Sequence, residues 1–257
     1  MRKGFLMALC ISIAMIFTSC GSNKVNPNIA KTGLDKEKIQ RINIINNRSS
    51  QKYTFSQERN KERFKNIVLK AVEVSEDPKL DPDFTFDFYS ETKKIASFKY
   101  IAGISDKRVA NLIDENNKLY HIDDSIENEF FKRMIKVKSD EYVPEYYTSL
   151  IEKVLEKLPK KDNVTAVVDI RKDYIVTRNL MSVDQKRILD NISKDGIEVK
   201  YPGEVENPDY YITVNTKSYN GTRKDASAVV SVKDSNNVTV KFEVKLTSDG
   251  KFYIRLI

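Results

Sequence analysis

The sequence predicts an α+β fold of two related lobes, each a helix packed on a twisted antiparallel sheet. Three observations predict it. Candidate strands follow one another in runs instead of alternating with helices, which argues against a parallel α/β sheet. Amphipathic helical stretches are few and short, and each precedes or follows a run of strands. Short motifs recur in the same order, with partners 125 to 133 residues apart. An apolar content of 40 %, with 10 % aromatics, is enough to bury a sizeable core.

The chain opens on Arg2 and Lys3, then an apolar run from Phe5 to Phe17 interrupted only by Ser12. A basic start, a short apolar core and a small-residue exit form a secretory signal peptide, assigned to residues 1–19. The thirteen-residue run is short of the ~20 residues a spanning helix needs. Phe17-Thr18-Ser19-Cys20-Gly21 resembles the lipobox of bacterial lipoproteins. That resemblance implies a diacylglyceryl (palmitate-type) group on the Cys20 sulfur, cleavage before it, and residence outside the cytoplasm on the bacterial cell membrane. The family prefers Leu where Phe17 stands, so ordinary signal cleavage remains the alternative. Two acyl chains anchor stably where one does not. Residues 20–38 carry no hydrophobic period and are expected to be a flexible tether.

An N-terminal lobe is assigned to residues 39–142. Ile42–Ile44 and Tyr53–Phe55 read as strands. Ser56 is placed as the cap of a helix to about Val74, with Phe64, Ile67, Val68 and Ala71 on one face. Phe84–Tyr89 and Ile95–Ile101 read as a hairpin, and Lys118–Ile122 as a further strand. Asp124 with Glu127 has the spacing of a capping box and would open a helix carrying Ile126, Phe130 and Met134. A linking helix, 143–161, starts at Val143-Pro144. Tyr147, Leu150, Ile151, Val154 and Leu158 form its apolar stripe, and the polar joint Lys160-Lys161-Asp162 follows.

The C-terminal lobe spans 162–257. Val164–Ile170 and Tyr174–Val176 read as strands, and Ser182 with Gln185 as a second capping box of a helix to about Lys194. Tyr210–Val214, Ser227–Val232, a strictly alternating strand around Val238–Leu246, and Phe252–Ile257 complete it. Between the lobes, Asn66-Ile67 matches Asn191-Ile192, and Val72-Glu73-Val74 matches Ile197-Glu198-Val199. Asp81-Pro82-Asp83-Phe84 matches Asn207-Pro208-Asp209-Tyr210, and Lys118-Leu119-Tyr120 matches Lys251-Phe252-Tyr253.

A helix, a Pro-Asp-aromatic strand, a Leu-Tyr-x-Ile strand and an apolar helix together resemble the YhfM-like domain of Firmicute lipoproteins. The resemblance covers residues 53–137 and departs from the family in having no tryptophan. It implies a compartment and a fold, since the family has no assigned activity.

Chemistry is bounded mostly by exclusion. Of the two cysteines, Cys10 leaves with the leader and Cys20 carries lipid, so the folded part has no thiol for catalysis, zinc or disulfides. Removing the leader's two basic residues leaves 42 − 37 = +5, an interleaved charge. A solvated surface, or attraction to an anionic membrane or wall polymer, follows from that; nucleic acid does not. The single histidine, His121, lacks a nucleophile elbow to serve and reads as a strand residue. Asp81, Asp83 and Asp209 could gather a cation, but without the ligand spacing of an EF-hand. Tyr142, Tyr146, Tyr147 and Tyr210-Tyr211 are either recognition residues or core, and periodicity favours core.

No catalytic residue, cofactor or metal ligand is singled out, and the chain is expected not to be an enzyme. The expected function is a lipid-anchored extracytoplasmic binding or interaction module of unknown ligand, with a protein or a cell-wall component as candidate partner. The alternatives are the solute-binding lipoprotein of an importer and, behind it, a carboxylate-based hydrolase.

Overall fold

The computed structural model describes residues 25–131, 142–159, 163–178, 180–194, 196–221, 225–247 and 249–257. The leader, Cys20, Met134 and the Lys160–Asp162 joint lie outside the described residues. The fold is mixed α+β, built on two seven-stranded sheets. No described helix is long and apolar enough to cross a membrane.

The N-terminal half contains α1 (Pro27–Ala30), β1 (Arg41–Asn46), β2 (Lys52–Phe55), α2 (Glu58–Leu69) and β3 (Val72–Glu73). β4 (Phe84–Ser90), β5 (Lys93–Tyr100), β6 (Leu112–Asp114) and β7 (Leu119–His121) follow as a meander. The sheet order is β2-β1-β4-β5-β6-β7-β3, with every neighbouring pair antiparallel. Alternation on β4 turns Phe84, Phe86 and Phe88 to one face, where α2 lays Phe64 edge-on to Phe86 at 5.0 Å. Phe131 stacks on Phe84 from a π-helical turn, Glu127–Phe131. Such ring pairs add about 0.5–1.5 kcal/mol each beyond the area they bury.

The C-terminal half contains α3 (Tyr142–Leu155), β8 (Val164–Asp169), α4 (Tyr174–Thr177), α5 (Ser182–Asp190), β9 (Ser193–Lys194) and β10 (Ile197–Lys200). The strands β11 (Tyr210–Ser218), β12 (Ala226–Asp234), β13 (Thr239–Leu246) and β14 (Phe252–Leu256) form a second meander. The order is β14-β13-β12-β11-β8-β10-β9. This sheet is not purely antiparallel, as expected, but mixed: β8 runs parallel to both β10 and β11. The physical reason is the crossover through α4 and α5, which returns the chain in the direction it left. It also explains why β8 is apolar almost without alternation: it is covered on both faces.

Several local expectations change. Residues 26–39 are not a free tether. Asn26 donates through its amide to Leu69 O at 2.7 Å and through its side chain to Ala71 O at 2.8 Å. Ile29, Leu34 and Ile39 are buried in the N-terminal core. Gln57, not Ser56, precedes α2, which ends at Leu69 so that Val72–Glu73 can pair with β7. Glu127 does not close a capping box; its Oε1 takes the Gly103 amide and the Tyr100 hydroxyl, both at 2.7 Å. Ser182 and Gln185 form no box either, because Met181 is the cap of α5 and Ser182 is drawn away to Asp83. Tyr174–Thr177 is a helical turn, not a strand.

Of the four matched stretches, the Asx-Pro-Asp-aromatic pair enters the first meander strand in both halves, and the Lys-x-Tyr pair lies on the fourth or at its entry. The Val72 and Ile197 stretches occupy different places: β3 extends the far end of its meander, whereas β10 sits beside β8.

Candidate functional site at the junction of the two sheets

The Asp-Pro-Asp step before β4 meets the start of α5 from the other half. Pro82 fixes the backbone entering the strand. Asp83 is 1 % exposed and accepts from four groups. Arg48 Nη2 donates at 2.8 Å, the Ser182 amide at 2.9 Å, Ser182 Oγ at 3.1 Å and the Ala102 amide at 3.0 Å. Arg48 Nη2 also reaches Ser182 Oγ at 2.7 Å, and Ser182 Oγ donates to Asp81 O. Arg48 is aimed by the β1–β2 turn, where Asn46 Oδ1 takes the Arg48 and Ser49 amides at 2.9 and 3.0 Å. Burial pushes the Asp83 carboxyl up, and Arg48 with the Ala102 and Ser182 amides opposes that rise.

A second brace lies beside it. Arg171 grips Asp169 through Nε at 2.9 Å and Nη2 at 2.7 Å, and reaches across to Asp81 through Nη1 at 3.1 Å. The Tyr211 hydroxyl completes Asp169 at 2.8 Å. Burial works to raise the Asp169 carboxyl, but Arg171 and Tyr211 outweigh it and hold it below the usual carboxylate range. Met181 and Val183 insert into the N-terminal core, while Leu80 packs on the C-terminal one.

These braces frame a cleft of about 350 Å³ lined by Asn47, Arg48, Asp81, Pro82, Arg171, Lys172 and Tyr174. Tyr174 is 54 % exposed there, and Lys172 is exposed with no ion-pair partner among the described residues. Arg48 Nε, the Tyr201 hydroxyl and both amide atoms of Gln185 are buried without a partner among the described residues. Tyr201 feels the charges of Asp81, Arg48 and Arg171, which locates it at the same junction; burial raises its hydroxyl well above its ordinary value. A larger depression of about 720 Å³ lies elsewhere, along β8 and β10 beside Gly196.

Asp81 and Asp83 thus come together, but with arginines. Asp209 does not join them: it takes the Thr165 amide at 2.9 Å at the start of β8. His121 places Nδ1 2.8 Å from the Val109 carbonyl. Tyr146 and Tyr147 are both core, bonded to Thr216 Oγ1 at 2.9 Å and Asp173 Oδ2 at 2.8 Å, and Tyr210 is buried while Tyr211 serves Asp169. Nothing in the sequence singles out Arg48, Arg171 or Tyr201, and Ser182 stands out there only as part of a capping-box spacing. The Pro-Asp step was the one available signal, since no local pattern pairs residue 48 with residue 182.

Residues 35–140 match a family model described as YhfM protein, 106 of the chain's 257 residues. The match takes in the N-terminal sheet, Arg48 and the Asp-Pro-Asp step, and stops before the C-terminal half. No curated protein and no solved structure matches the chain.

Proposed function

We propose that the chain is a lipid-anchored extracytoplasmic binding module, held by a diacylglyceryl group on Cys20, with its ligand surface in the junction cleft. The observation that carries this reading is the cleft itself. It draws its walls from both halves, and it offers the exposed Tyr174 ring and the Lys172 ammonium beside two braced arginines. Concave sites with a few fixed polar groups are where small ligands are usually held. A polar ligand carrying an anionic group, free or on a wall polymer, suits Lys172 and an aromatic face together.

The two halves are read as related lobes on the strength of their four-stranded meanders and Asx-Pro-Asp entries. The importer reading takes its support from the same cleft, but the strand-rich halves differ from the alternating pattern expected of such proteins. A carboxylate hydrolase would draw on Asp81, Asp83 and Asp169. Retaining or inverting chemistry needs carboxyl groups free to face substrate, and Asp83 and Asp169 spend their oxygens on protein donors.

Two experiments test the proposal. Cys20→Ala should release the protein from membranes or leave it unprocessed; unchanged processing and membrane retention would defeat the anchor. Thermal-shift screening with metabolites and soluble wall fragments should find a ligand whose effect is lost in Lys172→Glu and Tyr174→Ala. A ligand whose effect survives both substitutions would remove the cleft from the reading.

A further inference from the structure

The open edge of the C-terminal sheet is β14. Ile257 N donates to Lys241 O at 2.9 Å and Lys251 O accepts from Thr247 N at 3.0 Å. The register between β13 and β14 is unbroken, so odd-numbered backbone groups on β14 face β13. The amides and carbonyls of Phe252, Ile254 and Leu256 therefore point outward, and among the described residues none meets another strand. Among the described residues, five of the ten exposed large hydrophobics lie on or beside this edge: Val238, Val240, Tyr253, Leu256 and Ile257. Leu256 is opposite the buried Phe242 yet 66 % exposed, on the rim of an apolar groove of about 440 Å³ that also includes Leu158, Pro159 and Val240. Edge strands are usually blunted by proline, a bulge or charged side chains; β14 has neither proline nor bulge, and its one charge, Arg255, is paired with Glu243 on the neighbouring strand.

We propose that β14 is the interface of a two-fold dimer, pairing antiparallel with β14 of a second copy and centred on Ile254. Strand chemistry selects this register. A two-fold axis through the sheet keeps the same face up in both copies, so only like-parity residues can stand opposite each other. Centring on Ile254 sets Ile254 opposite itself and Phe252 opposite Leu256 of the second copy. All three outward residues then exchange backbone hydrogen bonds, and Tyr253 falls opposite Arg255, a favourable cation–aromatic pair. Centring on Arg255 would juxtapose two guanidinium groups. Centring on Tyr253 would set Arg255 against Lys251 and Leu256 against Gly250. The chosen register also places Phe252 of one copy beside Leu256 at the groove of the other.

The test uses the full chain in mild detergent, with Cys10→Ala and Cys20→Ala so that an introduced thiol is alone. Single cysteines at positions 253, 254 and 255 are treated with a short bis-maleimide. Ile254→Cys should give at least a several-fold higher dimer yield than Tyr253→Cys or Arg255→Cys, because only residue 254 faces its own copy. Sedimentation equilibrium should show a dimer that Ile254→Pro converts to monomer with its melting transition retained; association driven by the leader would survive that substitution. Should Ile254→Pro fail to fold, Leu256→Lys takes its place. A monomer at all concentrations, a maximum at 253 or 255, or cross-links only to a different protein would overturn the proposal.

Discussion

Arg48 and Asp83 are joined at 2.8 Å inside the junction, with side chains only 9 % and 1 % exposed. The pair also holds the two halves together, because Asp83 accepts from the Ser182 amide and Arg48 donates to the Ser182 hydroxyl oxygen. Breaking such a pair by removing one partner leaves a buried charge with nothing opposite it. Asp83→Ala is therefore expected to destabilise by about 3–5 kcal/mol, and Arg48→Met by a similar amount. The double variant should recover much of that loss. Urea unfolding of the four proteins measures the coupling; additive losses would show that the two residues act separately.

The Asp169 brace gives a pH dependence with a definite sign. Burial opposes its ionisation, but Arg171 and Tyr211 prevail, and its folded carboxyl lies below the ordinary value. A depressed carboxyl stabilises the fold above its unfolded pKa of about 3.9 and loses that contribution as pH falls through the folded value. Thermal stability should thus decline below about pH 4. Asp169→Asn should be less stable at pH 7 and show a shallower acid decline; an unchanged acid limb would remove Asp169 from it.

Asp173 presents the opposite case. It is 3 % exposed and accepts the Tyr147 hydroxyl at 2.8 Å, Thr216 Oγ1 at 2.6 Å and the Thr216 amide at 2.9 Å. Burial raises its carboxyl and these donors do not fully cancel the rise. A raised carboxyl contributes stability below its unfolded pKa and loses it as pH rises through the folded value. Asp173→Asn should flatten that limb and preserve the fold. Asp173→Ala, which strands three donors, should lose about 2–4 kcal/mol at any pH between 5 and 8. Equal losses for the two variants would mean that the acceptor oxygen kept by asparagine does not satisfy these donors.

These cases show what was legible beforehand. Period-two alternation announces β13, runs of strand-forming residues after Asx-Pro-Asp steps announce β4 and β11, and the helical stripe of Leu150, Ile151 and Val154 announces α3. Three-residue β6 carries too few alternations to register, and parallel pairing of β8 leaves no mark in a strand apolar on both faces. The capping-box spacings at Asp124 and Ser182 were genuine patterns overridden by tertiary partners, Gly103 and Tyr100 for Glu127 and Asp83 for Ser182. The junction was illegible for the same reason: the hydrogen bonds between its two halves join residues 90 to 134 positions apart.

The N-terminal arm yields a prediction that the tether expectation would not. Leu34 is fully buried against the first core, although its neighbours Asp35 to Lys38 are polar. Leu34→Ala should destabilise by about 2–5 kcal/mol, as for other buried leucines. With Asn26 fixed to Leu69 and Ala71, only five residues separate Cys20 from the fold, a reach of about 20 Å. A chemical denaturation midpoint unmoved by Leu34→Ala would restore the free tether.

Gly103 and Val183 approach closely across the junction. Gly103 has φ +82°, and a Cβ added there would lie 2.7 Å from Val183 Cγ2. Gly103→Ala therefore carries two penalties: about 1–2 kcal/mol for the left-handed backbone and about 1–3 kcal/mol for overpacking. The two are separable. Val183→Ala removes the clashing methyl groups but leaves the backbone strain, so Gly103→Ala/Val183→Ala should be more stable than Gly103→Ala alone by the overpacking share. Since Val183 begins α5 beside Ser182, the single Gly103→Ala variant should also weaken the Asp83–Ser182 contact, visible as faster amide exchange at Ser182. If Val183→Ala gives no rescue and Ser182 exchange is unchanged, the two halves do not meet through this contact.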